Sequence, residues 1–292
     1  MVRRSLLFTP GDRPEMMQKA PDSGADVVVF DLEDAVSPER KEEARETVRR
    51  VLADPGFDPA TEVCVRLNAT SSEYQADLEA LFGHESERPR LDSVMLPKAD
   101  SRVAVSELAG TLERYDVSVP VFALIESARG VLAAPDIAAA AATDALVFGA
   151  EDLAADIGAN RTQEGTEVLY ARQRVVLAAA AHDCDAIDTL VTDFEDDRRL
   201  AEETEFAIQL GYDGKLAIHP AQIETINDGF APDDDEIEWA NAVLEGKRKA
   251  DAEGRGVFEV DGEMIDPPLI ERARRIRERS RVAREVEDDS RP

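Results

Sequence analysis

Eight short runs rich in apolar and β-branched residues recur along the first three quarters of the chain. Most are continuously apolar rather than alternating, which is typical of parallel strands covered on both faces. The runs are Ser5–Phe8, Val27–Asp31, Val63–Leu67, Ser93–Leu96, Val119–Ile125, Ala145–Phe148, Ala186–Ile187 and Lys215–Ile218.

Helical patterns separate these runs, at Pro38–Leu52, Tyr74–Phe82, Val103–Tyr115, Val131–Ala142, Glu167–His182 and Asp197–Leu210. Regular alternation of strand and helix predicts a parallel α/β architecture. Eight units fit a closed (β/α)8 TIM barrel, which typically needs ~250 residues. A doubly wound sheet is the alternative, but no glycine-rich dinucleotide fingerprint follows the first run. We therefore predict a catalytic TIM barrel over residues 1–228.

The character of the sequence changes after Pro220, and residues 229–292 are predicted to form a C-terminal arm. Asp233–Asp235 can cap a helix, a hairpin turn falls at Asp261–Gly262, and a charged helix covers Leu269–Val286. Some sixty residues of this kind are expected to be too few for an independent core. The arm is expected to pack on the barrel or on a neighbouring subunit.

Composition restricts the partners. There are 34 basic and 63 acidic residues, a formal net charge of −29, and six of the basic residues are lysine. Nucleic-acid binding is disfavoured, because it needs a basic surface. The acidic, lysine-poor surface predicts a halophilic source, with an ordinary acidic protein as the alternative. No run reaches the ~18 apolar residues of a membrane helix, and no secretory signal is recognisable. A cytoplasmic protein is expected, with Cys64 and Cys184 as buried thiols.

Polar residues follow nearly every predicted strand. In a barrel of this type the active groups stand at the carboxyl ends of the strands. Such a concentration of charge is costly unless the charges are paired or bind a metal. The segments are Asp31-Leu32-Glu33-Asp34, Arg66-Leu67-Asn68, Pro97-Lys98, Glu126-Ser127, Gly149-Ala150-Glu151-Asp152, Asp188 and His219-Pro220.

Glu126 and Asp152 follow adjacent predicted strands. Two carboxylates with few histidines nearby suit a hard cation with oxygen ligands, and Mg²⁺ fits best because it keeps waters that substrate oxygens can replace. The alternative is that either carboxylate caps a helix or forms a salt bridge.

Four basic residues are candidates for substrate binding. Arg66 can bind a carboxylate through two hydrogen bonds, although an ion pair with Asp31, Glu33 or Asp34 is equally open. His219 is assigned to substrate contact rather than proton transfer. Arg13 and Lys19 could face an anionic group such as a phosphate, or could simply be solvated.

Nine motifs together resemble the citrate lyase β-subunit family of the HpcH/HpaI aldolase superfamily, which includes malyl-CoA, β-methylmalyl-CoA and citramalyl-CoA lyases. Each motif alone is modest, but nine in the same order are specific. They are RSLLFTPGDRPEMMQKA, GADVVVFDLEDAV, VRLNA, MLPKAD, ALIESARGV, FGAEDLAADIG, AIDT, GYDGKLAIHPAQI and DGEMIDPP.

The resemblance implies a role for each matching residue. Glu126 and Asp152 would bind Mg²⁺, Arg66 would hold a carboxylate or keto acid, and Asp266 would reach into a neighbouring subunit's active site. The chemistry of the strand ends, rather than the resemblance, suggests that Glu33 and Asp34 orient Arg66 or metal-bound water. The remaining predicted substrate and CoA contacts are Phe8, Thr9, Arg13, Lys19, Glu151, Ile218 and His219.

The function implied is a Mg²⁺-dependent carbon–carbon lyase of a 3-hydroxyacyl-CoA, acting as a homotrimer or hexamer. It would release an acyl-CoA and glyoxylate or pyruvate, with Asp266 as the acid that protonates the enolate carbon. Three alternatives remain open: a citrate lyase β-subunit that needs partner chains, a malyl-CoA thioesterase, and a non-catalytic CoA-binding protein.

Overall fold

A computed structural model describes residues 2–83 and 89–289, with side chains described as far as residue 281. The chain forms two compact units, one covering Arg3–Asn227 and the other beginning at Asp228. No helix within the described ranges combines the length and the apolar character that crossing a bilayer requires.

The first unit is a closed barrel of eight parallel strands in sequential order, in which β1 also pairs with β8. The predicted (β/α)8 TIM barrel is therefore confirmed. Its strands are β1 (Ser5–Pro10), β2 (Val27–Asp31), β3 (Glu62–Arg66), β4 (Ser93–Leu96), β5 (Val121–Ile125), β6 (Thr143–Phe148), β7 (Asp185–Asp188) and β8 (Gly214–Ala217).

Helices follow the strands and cover the outside of the barrel. They are α1 (Pro14–Lys19), α2 (Lys41–Leu52), α3 (Ser71–Phe82), α4 (Arg102–Glu113), α5 (Ala128–Ala138), α6 (Ala150–Asp156), α7 (Leu169–Ala180), α8 (Asp197–Leu210) and α9 (Gln222–Phe230). The short helices α1 and α6 were not predicted, because six or seven residues are too few to show helical periodicity. Helix α5 begins three residues earlier than predicted, since the Ser127 hydroxyl accepts a hydrogen bond from Gly130 N and caps it.

Alternate strand residues fill the barrel interior, as the pleat requires. The interior cluster includes Leu6, Val29, Cys64, Phe122, Val147, Ile187 and Leu216, and Phe8 packs against it. At the amino ends of the strands, Arg3 bonds to Glu62, Asp144 and Asp185 and lies over the Phe122 ring. This end of the barrel is closed by a charge network, which leaves the opposite end for a site.

The second unit contains α10 (Asp234–Ala252), β9 (Phe258–Val260), β10 (Glu263–Ile265) and α11 (Pro267–Asp289). Asp233 and Glu236 form a capping box at the start of α10. The strands join at Asp261–Gly262, where both residues have positive φ, as a two-residue hairpin turn requires. One expectation was wrong: this segment has an apolar cluster of its own, because the hairpin and the two helices bury one face each. Its members are Ala240, Val243, Ala250, Phe258, Ile265, Ile270, Ala273 and Ile276.

Candidate active site

An arginine–aspartate pair lies at the carboxyl end of the barrel. Asp31 and Arg66 are register partners on β2 and β3. Arg66 donates from Nε and Nη2 to the two carboxylate oxygens of Asp31, at 2.7 and 2.6 Å. Its guanidinium carbon also lies 4.8 Å from the centre of the Phe8 ring. Three contacts therefore fix the plane of the guanidinium, and the ion pair with Asp31 that the sequence left open as an alternative is present.

Glu33 joins this pair to a lysine. Arg66 Nη1 lies 3.2 Å from Glu33 Oε2, and Lys98 Nζ donates to Glu33 Oε1 at 2.8 Å. Burial raises the pKa of Glu33, although Arg66 and Lys98 oppose the shift. Asp34 is more exposed, and its carboxylate lies 3.9 Å from Arg66 Nη1. Both acids predicted to orient Arg66 therefore lie beside it, and Glu33 makes the closer approach.

Lys41, which sequence reasoning missed, anchors the segment that carries Glu33. Its ammonium donates to the carbonyl oxygens of Leu32 and Glu33, each at 2.6 Å, and to Asn68 Oδ1 at 2.7 Å. Asn68 is held in turn by the buried carboxylate of Asp77. No signal in the sequence separates Lys41 from an ordinary surface lysine at the start of a helix.

Glu126 follows β5 and is buried at the same end of the barrel, with 4% of its surface exposed. Its Oε1 accepts a hydrogen bond from the backbone N–H of Lys98 at 2.8 Å. Gly149 leaves room for it, because a Cβ there would lie 2.7 Å from Glu126 Cβ and 2.9 Å from Oε2. Burial raises the pKa of Glu126 to about 8; the Lys98 hydrogen bond opposes this shift, and the charges of Glu33 and Asp152 add to it.

Asp152 and Glu151 lie in the first turn of α6. The backbone N–H of Ala150, at the start of this helix, donates to Thr189 Oγ1 at 3.2 Å. Asp152 is exposed and near enough to influence the pKa of Glu126. Glu151 instead pairs with Arg161 at 2.9 Å. The structure thus brings Asp152 towards Glu126 and turns the carboxylate of Glu151 to the following loop.

The residues of this end of the barrel fit a divalent cation. Arg66 and Lys98 pair with Asp31 and Glu33, whereas neither Glu126 nor Asp152 forms an ion pair within residues 2–83 and 89–281. Those residues also hold no group of three or more His, Cys, Asp or Glu side chains able to bind a metal. A pair of carboxylates without a cation is the donor set that Mg²⁺ uses when water and substrate oxygens complete its shell.

The other predicted substrate contacts lie on β1, around α1 and just after β8. Thr9 is buried and Phe8 half-buried on β1, while Ile218 and His219 are exposed just after β8. The imidazole of His219 stacks on the Phe194 ring, with ring centres 4.6 Å apart. The sequence did not predict a role for Phe194. Lys19 is exposed at the end of α1, and Arg13 is exposed with Nε 3.6 Å from Asp12. Within the part of the chain that is described, neither forms an ion pair with Glu33, Asp34, Glu126 or Asp152.

Asp266 follows β10 in the second unit, where its Oδ1 accepts a hydrogen bond from Leu269 N at 3.3 Å at the start of α11. The carboxylate is exposed. Its role as an acid in a neighbouring subunit stays a prediction.

Asp188 does not join the active groups, contrary to the prediction from strand ends. Ile187 points into the barrel, so the next side chain points outward to the helices. There Asp188 is fully buried and bonds to Arg172 on α7 and to Lys215 on β8, each at 2.6 Å. Burial alone would raise the pKa of Asp188, but the two cations lower it below its usual value. This acid belongs to the packing between barrel and helices.

A closed parallel barrel with paired carboxylates, a fixed arginine and a lysine at the carboxyl ends of its strands defines an enzyme of the TIM-barrel class. The family model described as HpcH/HpaI aldolase/citrate lyase matches residues 4–220. The chain belongs to this family and is a carbon–carbon lyase.

Individual relatives agree over nearly the whole chain. It is 37% identical over 277 residues to the citrate lyase subunit beta-like protein of Deinococcus radiodurans, covering 93% of this chain and 95% of the relative. It is 33% identical over 289 residues to human mitochondrial citramalyl-CoA lyase, covering 93% and 83%. It is similar to the crystal structure of CitE from Mycobacterium tuberculosis in complex with magnesium, acetoacetate and coenzyme A. That likeness has a TM-score of 0.79 and 36% identity, and it covers 96% of this chain and 98% of that one.

Proposed function

We propose that the protein is a Mg²⁺-dependent lyase that cleaves a 3-hydroxyacyl-CoA thioester into an acyl-CoA and glyoxylate or pyruvate. The substrate is malyl-CoA, β-methylmalyl-CoA or citramalyl-CoA. The observation that carries the proposal is the buried Glu126 carboxylate, which has no ion-pair partner among the described side chains and lies beside the Arg66–Asp31 pair. The magnesium, acetoacetate and coenzyme A held by the mycobacterial relative support the same assignment.

Glu126 and Asp152 would hold the cation. When bound, Mg²⁺ would supply a Lewis acid that makes the substrate's hydroxyl group easier to deprotonate. Arg66 binds the carboxylate of the fragment that leaves as the oxo acid. Asp31 accepts hydrogen bonds from Nε and Nη2, so Nη1 is the nitrogen that exchanges its ion pair with Glu33 for the substrate carboxylate.

Two proton transfers accompany cleavage. The hydroxyl oxygen loses its proton and forms the new carbonyl, while the electrons of the broken carbon–carbon bond pass to the thioester as an enolate. We assign the first proton to Glu33, whose Oε2 is buried, accepts no hydrogen bond within the described residues and lies 3.2 Å from Arg66 Nη1. Asp266 of a neighbouring subunit then protonates the enolate carbon and completes the acyl-CoA.

Two further functions remain candidates. The chain is 35% identical over 291 residues to the citrate lyase subunit beta of Escherichia coli, so it could instead cleave a citryl thioester together with partner subunits. A thioesterase would hydrolyse malyl-CoA to malate. We further propose a cytoplasmic homotrimer or hexamer from a halophilic source, with CoA present only as part of the substrate.

The test is a panel of three thioesters, malyl-CoA, β-methylmalyl-CoA and citramalyl-CoA, assayed with purified protein in concentrated KCl. We expect release of glyoxylate or pyruvate that requires Mg²⁺ and stops with EDTA. Glu126→Gln should abolish it, whereas Glu202→Gln, an exposed ion-pair residue on α8, should not. Free malate without glyoxylate would identify the thioesterase. A citrate lyase subunit would release no product from any of the three esters. It would form oxaloacetate from a citryl thioester only after α and acyl-carrier subunits are added.

A further inference from the structure

We infer that Lys98 is a positioning residue, whose backbone fixes the metal ligand Glu126 and whose side chain fixes Glu33. The inference rests on the proposed function, because it concerns the same metal site. It assigns a role to a lysine that the sequence presents only as the residue at which a strand ends.

One residue contacts both carboxylates. The backbone N–H of Lys98 donates to Glu126 Oε1 and its ammonium donates to Glu33 Oε1, both at 2.8 Å. Glu33 in turn lies against Arg66. The metal ligand Glu126 and the substrate-binding Arg66 are therefore connected through Lys98 and Glu33.

The backbone conformation makes this double contact possible. Lys98 has a φ of 50°, the left-handed region that residues with a side chain seldom adopt. The chain bends there as it leaves β4, and the next N–H, of Ala99, donates to the carbonyl oxygen of Leu124 on β5 at 3.1 Å. The bend thus carries the Lys98 N–H to the end of the neighbouring strand, where Glu126 stands.

Left-handed conformations of non-glycine residues in ordered structure require support from their surroundings and concentrate at functional sites. Here the two hydrogen bonds and the Ala99 contact supply that support. Of the four non-glycine residues with positive φ in the described ranges, Lys98 alone is not an aspartate. Aspartate tolerates this conformation better than lysine does, so backbone preference does not explain a lysine here, whereas the bond from its ammonium to Glu33 does.

Two substitutions separate the backbone role from the side-chain role. Lys98→Gly and Lys98→Val both remove the ammonium, but glycine adopts positive φ freely and valine resists it. We expect Lys98→Gly to bind Mg²⁺ within about threefold of wild type by calorimetry without substrate, and Lys98→Val to bind at least tenfold more weakly. Both should lower kcat, because Glu33 loses its lysine, and Lys98→Arg should recover part of kcat.

Matched controls are Asp183→Gly, another positive-φ position, and Lys249→Met, an exposed lysine paired with Glu245 on α10. Neither should change Mg²⁺ affinity or kcat. Thermal unfolding without Mg²⁺ identifies any variant that fails to fold. If Lys98→Val does not fold, Lys98→Ile replaces it as the β-branched variant. Equal Mg²⁺ affinity in folded glycine and β-branched variants overturns the backbone role, and an unchanged kcat in Lys98→Gly overturns the side-chain role. A wild-type protein that binds no Mg²⁺ overturns the metal site itself, and the inference with it.

Discussion

Arg66 and Asp31 face each other across two adjacent strands and share two hydrogen bonds of 2.7 and 2.6 Å. Asp31 also accepts the backbone N–H groups of Glu33 and Ala35, both at 2.8 Å. One carboxylate therefore orients the arginine and shapes the loop that carries Glu33. Asp31 therefore positions the residues of the site, although it need not touch the substrate.

Substitutions of this pair should be strongly non-additive. Arg66→Met leaves Asp31 buried without its cation and should cost about 3–5 kcal/mol in the free energy of unfolding. The double variant Arg66→Met, Asp31→Asn should cost less than the sum of the single variants. Urea unfolding of all four proteins measures the coupling, and strict additivity would contradict the pairing.

Arg66→Lys keeps the charge without the two-pronged geometry, and it should lower kcat/KM about 10- to 100-fold.

A pair of glycine substitutions should distinguish the site from the rest of the barrel. A Cβ at Gly149 would lie 2.7 Å from the Cβ of Glu126, whereas a Cβ at Gly110 on α4 would have no heavy atom within 4 Å. Gly149→Ala should displace Glu126 and weaken Mg²⁺ binding at least tenfold. Gly110→Ala should leave Mg²⁺ binding unchanged and stabilise the helix by about 0.5–1 kcal/mol. Calorimetric titration with Mg²⁺ and thermal unfolding check both, and wild-type affinity in Gly149→Ala would contradict the assignment of Glu126.

The buried network of Asp188, Arg172 and Lys215, which lies between the barrel and its helices, should make the free energy of unfolding depend on pH. The pKa of Asp188 lies below its usual value because of Lys215 and Arg172. Its ionised form is therefore favoured by folding, and that stability is present at neutral pH. It is lost as the pH falls below the unfolded value of about 3.9 and through the lower folded value.

Asp188→Asn should cost about 3–5 kcal/mol at pH 7, because two buried cations lose their carboxylate. Lys215→Met should cost less, since Asp188 keeps Arg172. Urea unfolding between pH 7 and pH 3 should show the difference between wild type and Asp188→Asn shrinking only at the acid end. A difference that is constant throughout would show that the carboxylate is not preferentially ionised in the folded state.

The proposal that Asp266 acts in a neighbouring subunit's active site predicts complementation between inactive variants. Glu126→Gln lacks the proposed metal ligand and Asp266→Asn lacks the proposed acid, so each alone should be inactive. Mixed oligomers formed by co-expression should recover about a quarter of wild-type activity, because sites that combine an intact Glu126 with a neighbour's intact Asp266 reappear. Mixed oligomers that stay inactive would exclude an acid supplied by another subunit.

The net charge of −29 predicts that salt stabilises the fold. Raising KCl from 0.1 to 1 M shortens the screening length from about 10 Å to about 3 Å and weakens the repulsion among surface carboxylates. The melting temperature should rise by several degrees, most steeply in the lower half of this range. An increase that begins only above 1 M would indicate general exclusion of salt from the surface instead, and an unchanged melting temperature would contradict the halophilic proposal.

Short-range patterning determined the architecture. Runs of apolar residues such as Val27–Asp31 and Ser93–Leu96 form strands with the predicted bounds. A strand that is buried on both faces needs consecutive apolar residues, and such a run is visible in the sequence itself. The hairpin turn at Asp261–Gly262 could also be predicted, because few residue pairs adopt the two consecutive positive φ angles that such a turn requires. The ionisable groups that follow the strands, Glu126 and Arg66 among them, were recognisable because parallel strands deliver their carboxyl ends to one edge.

Only the tertiary structure decided which of those groups meet. Asp188 and Glu126 both follow apolar runs, yet Asp188 points to the helices and pairs with Arg172. Glu126 accepts the backbone N–H of Lys98 at the end of the barrel that holds Arg66. A single step along a strand reverses the direction of a side chain, and Ala186-Ile187 is apolar on both faces, so the sequence does not mark which face is inside. The proposed role of Lys98 depends on a left-handed bend, and the contacts of Lys41 depend on how the loop after β2 folds back onto it and on Asn68 of the next strand's loop. Register and closure of the barrel set these relationships, and neither leaves a local signal in the sequence.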